Sequence, residues 1–480
     1  MSDIAAPAGL FDRALRRVTT LWRDMAASVT GAEDEGFTAQ MRACLDARGG
    51  EVSARSRAAK LAQAYLAADH AERGEFLLAL AGFDSDSTAV TEAWNRVAAA
   101  TDVASRAGAK AALRRVLEPP RLRLLTQFTT IPDGVKFVVD LRADLMGRMR
   151  DDALLQALEA DMRTLLASWF DVGFLEMRRI DWSSPAALLE KLVGYEAVHR
   201  IRTWRDLKNR LDSDRRCYAF FHPRMPDEPL IFVEIALVEG MADSVQGLLD
   251  EKAPVLDPKQ ADTAIFYSIN NCQRGLDGIS FGNFLIKRVV EVLGAEFGNL
   301  DCFATLSPIP GFRRWLEAKL EEGDASLVTE EEAAALRAAA PGDPAIAAPG
   351  ADSASARPET PAQTLRRILA RRMPGREDAL GKALEPLLMR ACARYLLAES
   401  GSRAKRARDP VAQFHLSNGA RVERLNWRAD TSDKGFRESL GLMVNYRYDP
   451  AKIEDYHEEY AGEGKRAASS AVRKLARGFV

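Results

Sequence analysis

The stretch from Ala264 to Phe312 limits the folds open to this chain more than any other. It opens with Ala264-Ile265-Phe266-Tyr267-Ser268-Ile269, a run of strand composition: apolar, aromatic and β-branched. A loop punctuated by Gly275, Gly278 and Gly282 follows. Phe281, Leu285, Val289 and Leu293 then recur at helical spacing, with Phe284 and Ile286 broadening the face and Lys287, Arg288 and Glu291 opposite. Beyond Gly298, Cys302-Phe303-Ala304-Thr305-Leu306 is again strand-like and stops at Ser307-Pro308-Ile309-Pro310-Gly311. Strand, glycine loop, helix and strand make a βαβ unit.

Glycines just before a helix let backbone approach a phosphate, and the helix's free N–H groups favour negative charge. The segment from Gln273 to Gly282 therefore reads as a pyrophosphate cradle, with Arg274 as its charge partner. It lacks the lysine–hydroxyl pair of a P-loop and is not a strict dinucleotide fingerprint, so a purely structural turn is the competing reading.

Four separated segments carry a resemblance. Ser268-Ile269, Gln273 to Arg288, Leu306 to Phe312 and His415-Leu416-Ser417-Asn418-Gly419-Ala420 closely resemble malonyl-CoA decarboxylases. Asn426-Trp427 and Val444-Asn445-Tyr446-Arg447-Tyr448 fit the same family. The likeness runs from roughly Arg142 to Tyr448, interrupted by a stretch that does not align. It implies a helical N-terminal domain, an acetyltransferase-like catalytic domain, and metal-free decarboxylation of malonyl-CoA to acetyl-CoA. In such a domain coenzyme A enters where two parallel strands splay apart, and Ser307 would face the thioester.

Ser307 and His415 are the catalytic pair that the resemblance implies. Together they would grip the substrate carboxylate and relay a proton, with His415 the donor. On the residues alone the leading readings are structural: Ser307 a serine opening a turn before Pro308, and His415 a satisfied histidine at a strand end. The matching motifs favour function. Arg274, Gly275, Asp277, Gly278, Ile279, Ser280, Phe281, Gly282 and Asn283 are the expected coenzyme A cradle, joined by Asn418, Tyr446 and Tyr448. The last three are read either as binding residues or as packing and turn residues. Ser280 stands where some family members carry a carboxylate, and it also suits a helix cap. Glu234, in an apolar strand, is expected to face solvent, the other reading being a contact that orients His415. Cys272 is expected to fill space. His70, His199, His222 and His457 match no motif.

No cofactor is expected, because a thioester is itself an electron sink and no metal-ligand spacing occurs. Charges nearly balance, 67 basic against 69 acidic, so no global field draws the chain to nucleic acid or a membrane. The basic run Arg403 to Arg408 has no interleaved aromatics and reads as a solvated face. Five dispersed cysteines point to a reducing compartment. With no apolar run long enough for a span, no signal-peptide pattern, and Arg477-Gly478-Phe479-Val480 not a peroxisomal tripeptide, a cytoplasmic protein is expected.

Helical spacing dominates from about residue 10 to 200, as in Leu10, Ala14, Val18, Leu21 and Trp22. Val135 to Leu145 suits strand or helix, and its length favours helix. Ser184-Pro185 reads as cap and first turn, with helix continuing through Val198-His199 to Leu211. Cys217–Phe221 and Leu230–Val238 form a hairpin across the turn-rich Pro223 to Pro229. Glu321 to Pro361 is rich in Ala, Glu, Pro and Gly, its second half reading as weakly ordered, before helix returns at Thr364 to Leu397. Val411 to His415 reads as extended, turning at Asn418-Gly419 into a strand from Ala420 to Trp427. The expected fold class is α+β. A helical domain over 1–190, suited to homo-oligomerisation, precedes a GNAT-like acyltransferase-type domain with a mixed sheet over 191–480, with 321–400 as an insertion. An acyl-CoA-dependent transferase and a coenzyme A sensor are the alternative functions on that fold.

Overall fold

The computed structural model describes residues 22, 25, 36–46, 50–279, 284–339, 360–370, 379–401 and 405–479. Ser280, Phe281, Gly282 and Asn283 of the expected cradle lie outside these, as do residues 340–359 and Leu10 to Leu21.

The N-terminal layer is helical: α1 (Phe37–Leu45), α2 (Glu51–Ala67), α3 (His70–Ala81), α4 (Ser87–Ala99), α5 (Val103–Leu117), α6 (Pro120–Phe128), α7 (Gly134–Met146) and α8 (Ala153–Trp169). Local chemistry sets their ends. Asp69 and Glu72 form a capping box on α3, Asp86 caps α4, and Pro120 takes the first position of α6, where its missing N–H costs nothing. Helix wins over strand at α7 because Val135, Val138, Leu141, Arg142 and Leu145 fall on one buried face. A side chain at Gly134 would collide with the Phe128 carbonyl, so only glycine lets α6 and α7 meet there.

One mixed sheet follows. Its strands are β1 (Glu176–Ile180), β2 (Arg215–His222), β3 (Met225–Val238), β4 (Thr263–Asn271), β5 (Cys302–Thr305), β6 (Ser307–Pro308), β7 (Arg421–Asn426) and β8 (Met443–Tyr448). The order is β1-β2-β3-β4-β5-β8-β6, with β7 also paired to β8. Among the described strands only β4 and β5 run parallel, and α12 (Phe284–Glu296) makes their crossover; α9 (Ala186–Tyr195) and α10 (Trp204–Arg210) lie between β1 and β2, and α11 (Val245–Leu248) between β3 and β4. The βαβ unit is present as expected.

Five local expectations change. Strand β1 lies in the stretch read as helical; it is short, charged and largely exposed, so it lacks an apolar period. Residues 196–203 form a loop rather than continuous helix, and Pro185, not Ser184, occupies the N-cap position of α9, without a side-chain cap bond. The hairpin turn is only Pro223-Arg224, because Met225 and Pro229 are already paired with His222 and Phe221. Val411 to His415 is not extended: it belongs to α17 (Pro410–Ser417), which follows α13 (Phe312–Glu321), α14 (Glu330–Ala339), α15 (Pro361–Leu369) and α16 (Ala379–Leu397). Asp409 followed by proline is a helix-start signature, and it outweighs the apolar run that suggested a strand.

The remaining helices are α18 (Asp433–Ser439), α19 (Ile453–Glu463) and α20 (Ser470–Leu475). Helix α20 seats Val472 in the core beside β7. Leu336, Leu365, Leu388 and Leu396 join Phe76, Val138, Val233 and Tyr446 in one continuous apolar cluster. The helices of the 321–400 stretch are thus packed into the same core as the sheet.

Candidate active site

Strands β4 and β5 part company at one point. The last backbone bond between them runs from the Leu306 N–H to the Phe266 carbonyl at 3.0 Å. Beyond it β4 stays with β3 to Asn271, whereas Ser307 and Pro308 turn to pair with β8. Between β3 and β4 the pairing slips: Glu234 faces Ser268 and Ile235 faces Phe266, leaving Tyr267 as an extra, bulged residue. Bulge and divergence together open the sheet at the carboxyl ends of its parallel pair. Such a place is where α/β sheets accept ligands.

Ser307 stands on the rim of that opening. Its Oγ lies 3.0 Å from His415 Nε2 and donates to Thr305 Oγ1 at 2.8 Å. His415 Nδ1 lies 2.8 Å from the Tyr448 hydroxyl, and the imidazole stacks on Tyr446 at 4.5 Å between ring centres. Ser307, His415, Tyr446 and Tyr448 are all buried. Four residues from three distant segments of sequence thus form one line, Tyr448–His415–Ser307–Thr305. Burial pushes the His415 pKa down to about 3, so the imidazole is neutral near neutral pH. Burial likewise raises the Tyr448 phenol well above its ordinary range.

The proton positions follow from the donors. With Ser307 donating to Thr305, His415 must donate from Nε2 to the Ser307 oxygen and accept at Nδ1 from Tyr448. Thr305 is fixed in turn, because its Oγ1 accepts from the Tyr446 N–H at 3.1 Å. The backbone carbonyl of Thr305 accepts from Asn445 Nδ2 at 2.7 Å. Thr305 is not among the expected site residues and Asn445 enters only as part of a motif; an isolated threonine in a strand carries no signal for this role.

The described part of the glycine loop leaves β4 at the same end of the sheet. A 3-10 turn over Arg274–Leu276 is tied to the helical layer by Arg142. That guanidinium donates to the Gly275 carbonyl at 2.6 Å and the Asp277 carbonyl at 3.0 Å, and it pairs with Glu159 at 2.6 Å. Gly275 is buried, and a side chain there would collide with the Val139 carbonyl of α7. Packing against α7 therefore accounts for that glycine. Gly278 adopts φ +76 in open space, Arg274 and Asp277 are exposed, and Ile279 is buried. The described part of the loop and the pair are therefore on one edge of the sheet, with Arg274 exposed.

Other expectations fall elsewhere. Asn418 ends α17, its Nδ2 donating to the Phe414 carbonyl at 2.8 Å, and Gly419 at φ +77 passes too close to the Ile453 carbonyl for a side chain. Glu234 neither faces solvent nor touches His415: it is buried and paired with Arg210 at 3.1 Å. Cys272 is buried and its thiol is pushed up, as befits a space-filling residue. Glu196 was missed; its carboxylate accepts from Ser268 Oγ and Asn270 Nδ2, both at 2.7 Å, on β4 just past the divergence. Among the described residues no group of three His, Cys, Asp or Glu could hold a metal ion.

A buried serine–histidine pair with a neutral imidazole, set beside an opened sheet, is an arrangement suited to acid–base chemistry. Comparison with known proteins gives the family. The family model for the malonyl-CoA decarboxylase C-terminal domain matches residues 173–479, and that for the N-terminal domain matches residues 83–170. The chain is 35% identical over 428 residues to "Malonyl-CoA decarboxylase, mitochondrial" of Rattus norvegicus, covering 86% of this chain and 83% of that one. It is 38% identical over 341 residues to the protein of the same name from Anser anser anser, covering 68% of this chain and 64% of that one. Crystal structures of malonyl-CoA decarboxylases from Rhodopseudomonas palustris and Agrobacterium vitis superpose with TM-scores of 0.78 and 0.78. Their identities are 39% and 38%, and they cover 91% and 92% of this chain and 98% and 99% of theirs. The chain belongs to the malonyl-CoA decarboxylase family.

Proposed function

We propose that this enzyme converts malonyl-CoA and a proton to acetyl-CoA and carbon dioxide, with Ser307 and His415 as the reacting pair. The observation that carries the reading is the hydrogen-bonded line Tyr448–His415–Ser307 at the divergence of β4 and β5. The carbon–carbon bond to the carboxylate breaks and its electron pair flows into the thioester carbonyl, giving an enolate. Burial then serves twice. It removes water that would stabilise the carboxylate, and it strengthens any dipole aimed at the developing oxyanion. A neutral His415 passes its Nε2 proton through the Ser307 hydroxyl to the enolate carbon as Tyr448 gives its own proton to Nδ1, and the proton that the reaction consumes returns to Tyr448 from solvent when the product leaves. The approaching malonyl carboxylate itself draws the His415 pKa back up, which readies the imidazole for that exchange.

No metal or other cofactor enters this scheme, because the thioester already accepts the electrons. The GNAT-like reading of the domain is supported by the antiparallel β1–β4 set, the single parallel pair and the bulge at Tyr267. In that reading the pantetheine chain lies between β4 and β6, with its phosphates toward Arg274 and the glycine loop. A reducing compartment such as the cytoplasm suits the five unpaired cysteines. Self-association through the helical layer is supported by α4 and α5. They pack chiefly on each other and leave Trp94, Val103 and Leu117 exposed, with no residue of α5 buried.

The test is carbon dioxide and acetyl-CoA production from malonyl-CoA by chelator-treated protein, beside Ser307→Ala and His415→Ala. General acid–base catalysis contributes about 10²–10⁴-fold, so losses of that size are expected in folded variants with coenzyme A binding retained. Release of coenzyme A only when an amine acceptor is supplied would instead mark a transferase.

A further inference from the structure

The buried side of the catalytic pair is organised by a carboxylate that none of the sequence motifs contains. Asp409 is completely buried. One oxygen caps α17, accepting from the Val411 N–H at 3.0 Å and the Ala412 N–H at 2.9 Å. The carboxylate also lies against Gly311, 3.8 Å from where a side chain there would begin, and its other oxygen accepts from the Tyr395 hydroxyl at 3.3 Å. Gly311 lies four residues beyond Ser307, and His415 lies six beyond Asp409. A single side chain thus fastens the loop that leaves Ser307 to the first turn of the helix that carries His415.

Two features argue that the residue type is set by this task. Three donors converge on the group beside the Gly311 backbone, and a carboxylate accepts about four bonds while donating none. An amide of the same shape would replace one of the two accepting oxygens with a donor. There is also no slack: a side chain at Gly311 would collide with the Tyr395 hydroxyl, so the loop, α16 and the start of α17 meet without a gap. Charge is not the route of influence, since burial alone accounts for the lowered His415 pKa.

We propose that Asp409 is a positioning residue for this enzyme, holding the Ser307 hydroxyl within hydrogen-bond reach of the His415 imidazole by bridging Gly311 to the N-terminus of α17. The inference rests on the reading of Ser307 and His415 as the reacting pair.

Two variants test it. Asp409→Ser keeps a helix cap but is too short to reach Gly311 as well. Asp409→Asn keeps the volume and turns a donor inward. Malonyl-CoA turnover and the ¹⁵N resonances of labelled histidine are measured for wild type and for each folded variant. The expected result is a fall in kcat of tenfold or more, KM within twofold, and loss of the Ser307-bonded His415 Nε2 signal. If the serine variant does not fold, the asparagine variant is read in the same way. Wild-type kcat with unchanged His415 resonances in a folded variant overturns the proposal, as does a rise in KM at constant kcat. A wild type that releases no carbon dioxide counts against the reaction instead, and the His415 resonances then decide the positioning by themselves.

Discussion

His415 is a neutral group near neutral pH, and its surroundings make it so. It is enclosed by Tyr446, Tyr448, Phe414 and Ser307, and among the described residues no carboxylate is hydrogen-bonded to it. Its value as a donor depends on Tyr448 holding the proton on Nε2. Tyr448→Phe is therefore expected to lower kcat about 10–100-fold with little change in KM, as a steady-state assay would read, because the imidazole loses both its tautomer and its resupply. Tyr395→Phe offers a second residue-scale test. Gly311→Ala should destabilise the native protein because its methyl group meets the Tyr395 hydroxyl. In a Tyr395→Phe background the obstruction is gone, leaving a contact of 3.4 Å to the ring carbon. A double-mutant cycle by denaturant unfolding is expected to give a coupling of about 1–3 kcal/mol. Additive effects would sink this account of the glycine.

At the scale of elements, the glycine loop and α7 are one unit. Arg142 is buried, yet its guanidinium satisfies two loop carbonyls and a glutamate, so its removal strands three acceptors at once. Arg142→Ala is expected to cost about 2–4 kcal/mol in urea unfolding and to raise KM more than it lowers kcat. An unchanged KM would mean that the loop does not shape the coenzyme A site. Little of this link was legible beforehand. The loop's glycines resemble a phosphate cradle, but Gly275 is explained by its approach to Val139, a contact across more than a hundred residues that no local pattern encodes. Helix α17 teaches the same lesson in reverse. Its apolar run suggests a strand, whereas the Asp409-Pro410 start signal was local, present and sufficient.

For the whole molecule, stability should depend on pH from both sides. The folded His415 pKa near 3 lies below the value of about 6.5 expected in the unfolded chain. Between these values the unfolded chain binds a proton that the folded one does not. Stability is then full above about pH 6.5 and drains as pH falls, by roughly 1.4 kcal/mol per pH unit for this group. His199, pushed down to about 4 by burial, acts in the same direction. Asp409, raised to about 6 by burial, has the opposite sign: its contribution is present below its unfolded value near 3.8 and is lost as pH rises to about 6. Glu234 extends that loss to higher pH, because burial raises it to about 8 against the pull of Arg210. A melting temperature that falls on acidification below pH 6.5, with a shallower slope in a His415→Gln variant, is the expected result. Parallel slopes would show that other groups govern acid unfolding.

The sequence by itself determined what short range and chemistry can determine. The period change around Gly298, the β2–β3 hairpin, the helical N-terminal layer and the family motifs holding Ser307 and His415 are all properties of neighbouring residues. Tertiary structure decided the rest. Glu234 reads as an exposed acid until Arg210 is brought to 3.1 Å, and β1 has no signal until β2 offers it an edge. Ser307, His415 and Tyr448 are separate letters until β8 and α17 lay them in one buried line. Hydrogen bonds and burial act over a few ångströms in space, and only the folded chain makes residues 108 positions apart neighbours at 3.0 Å.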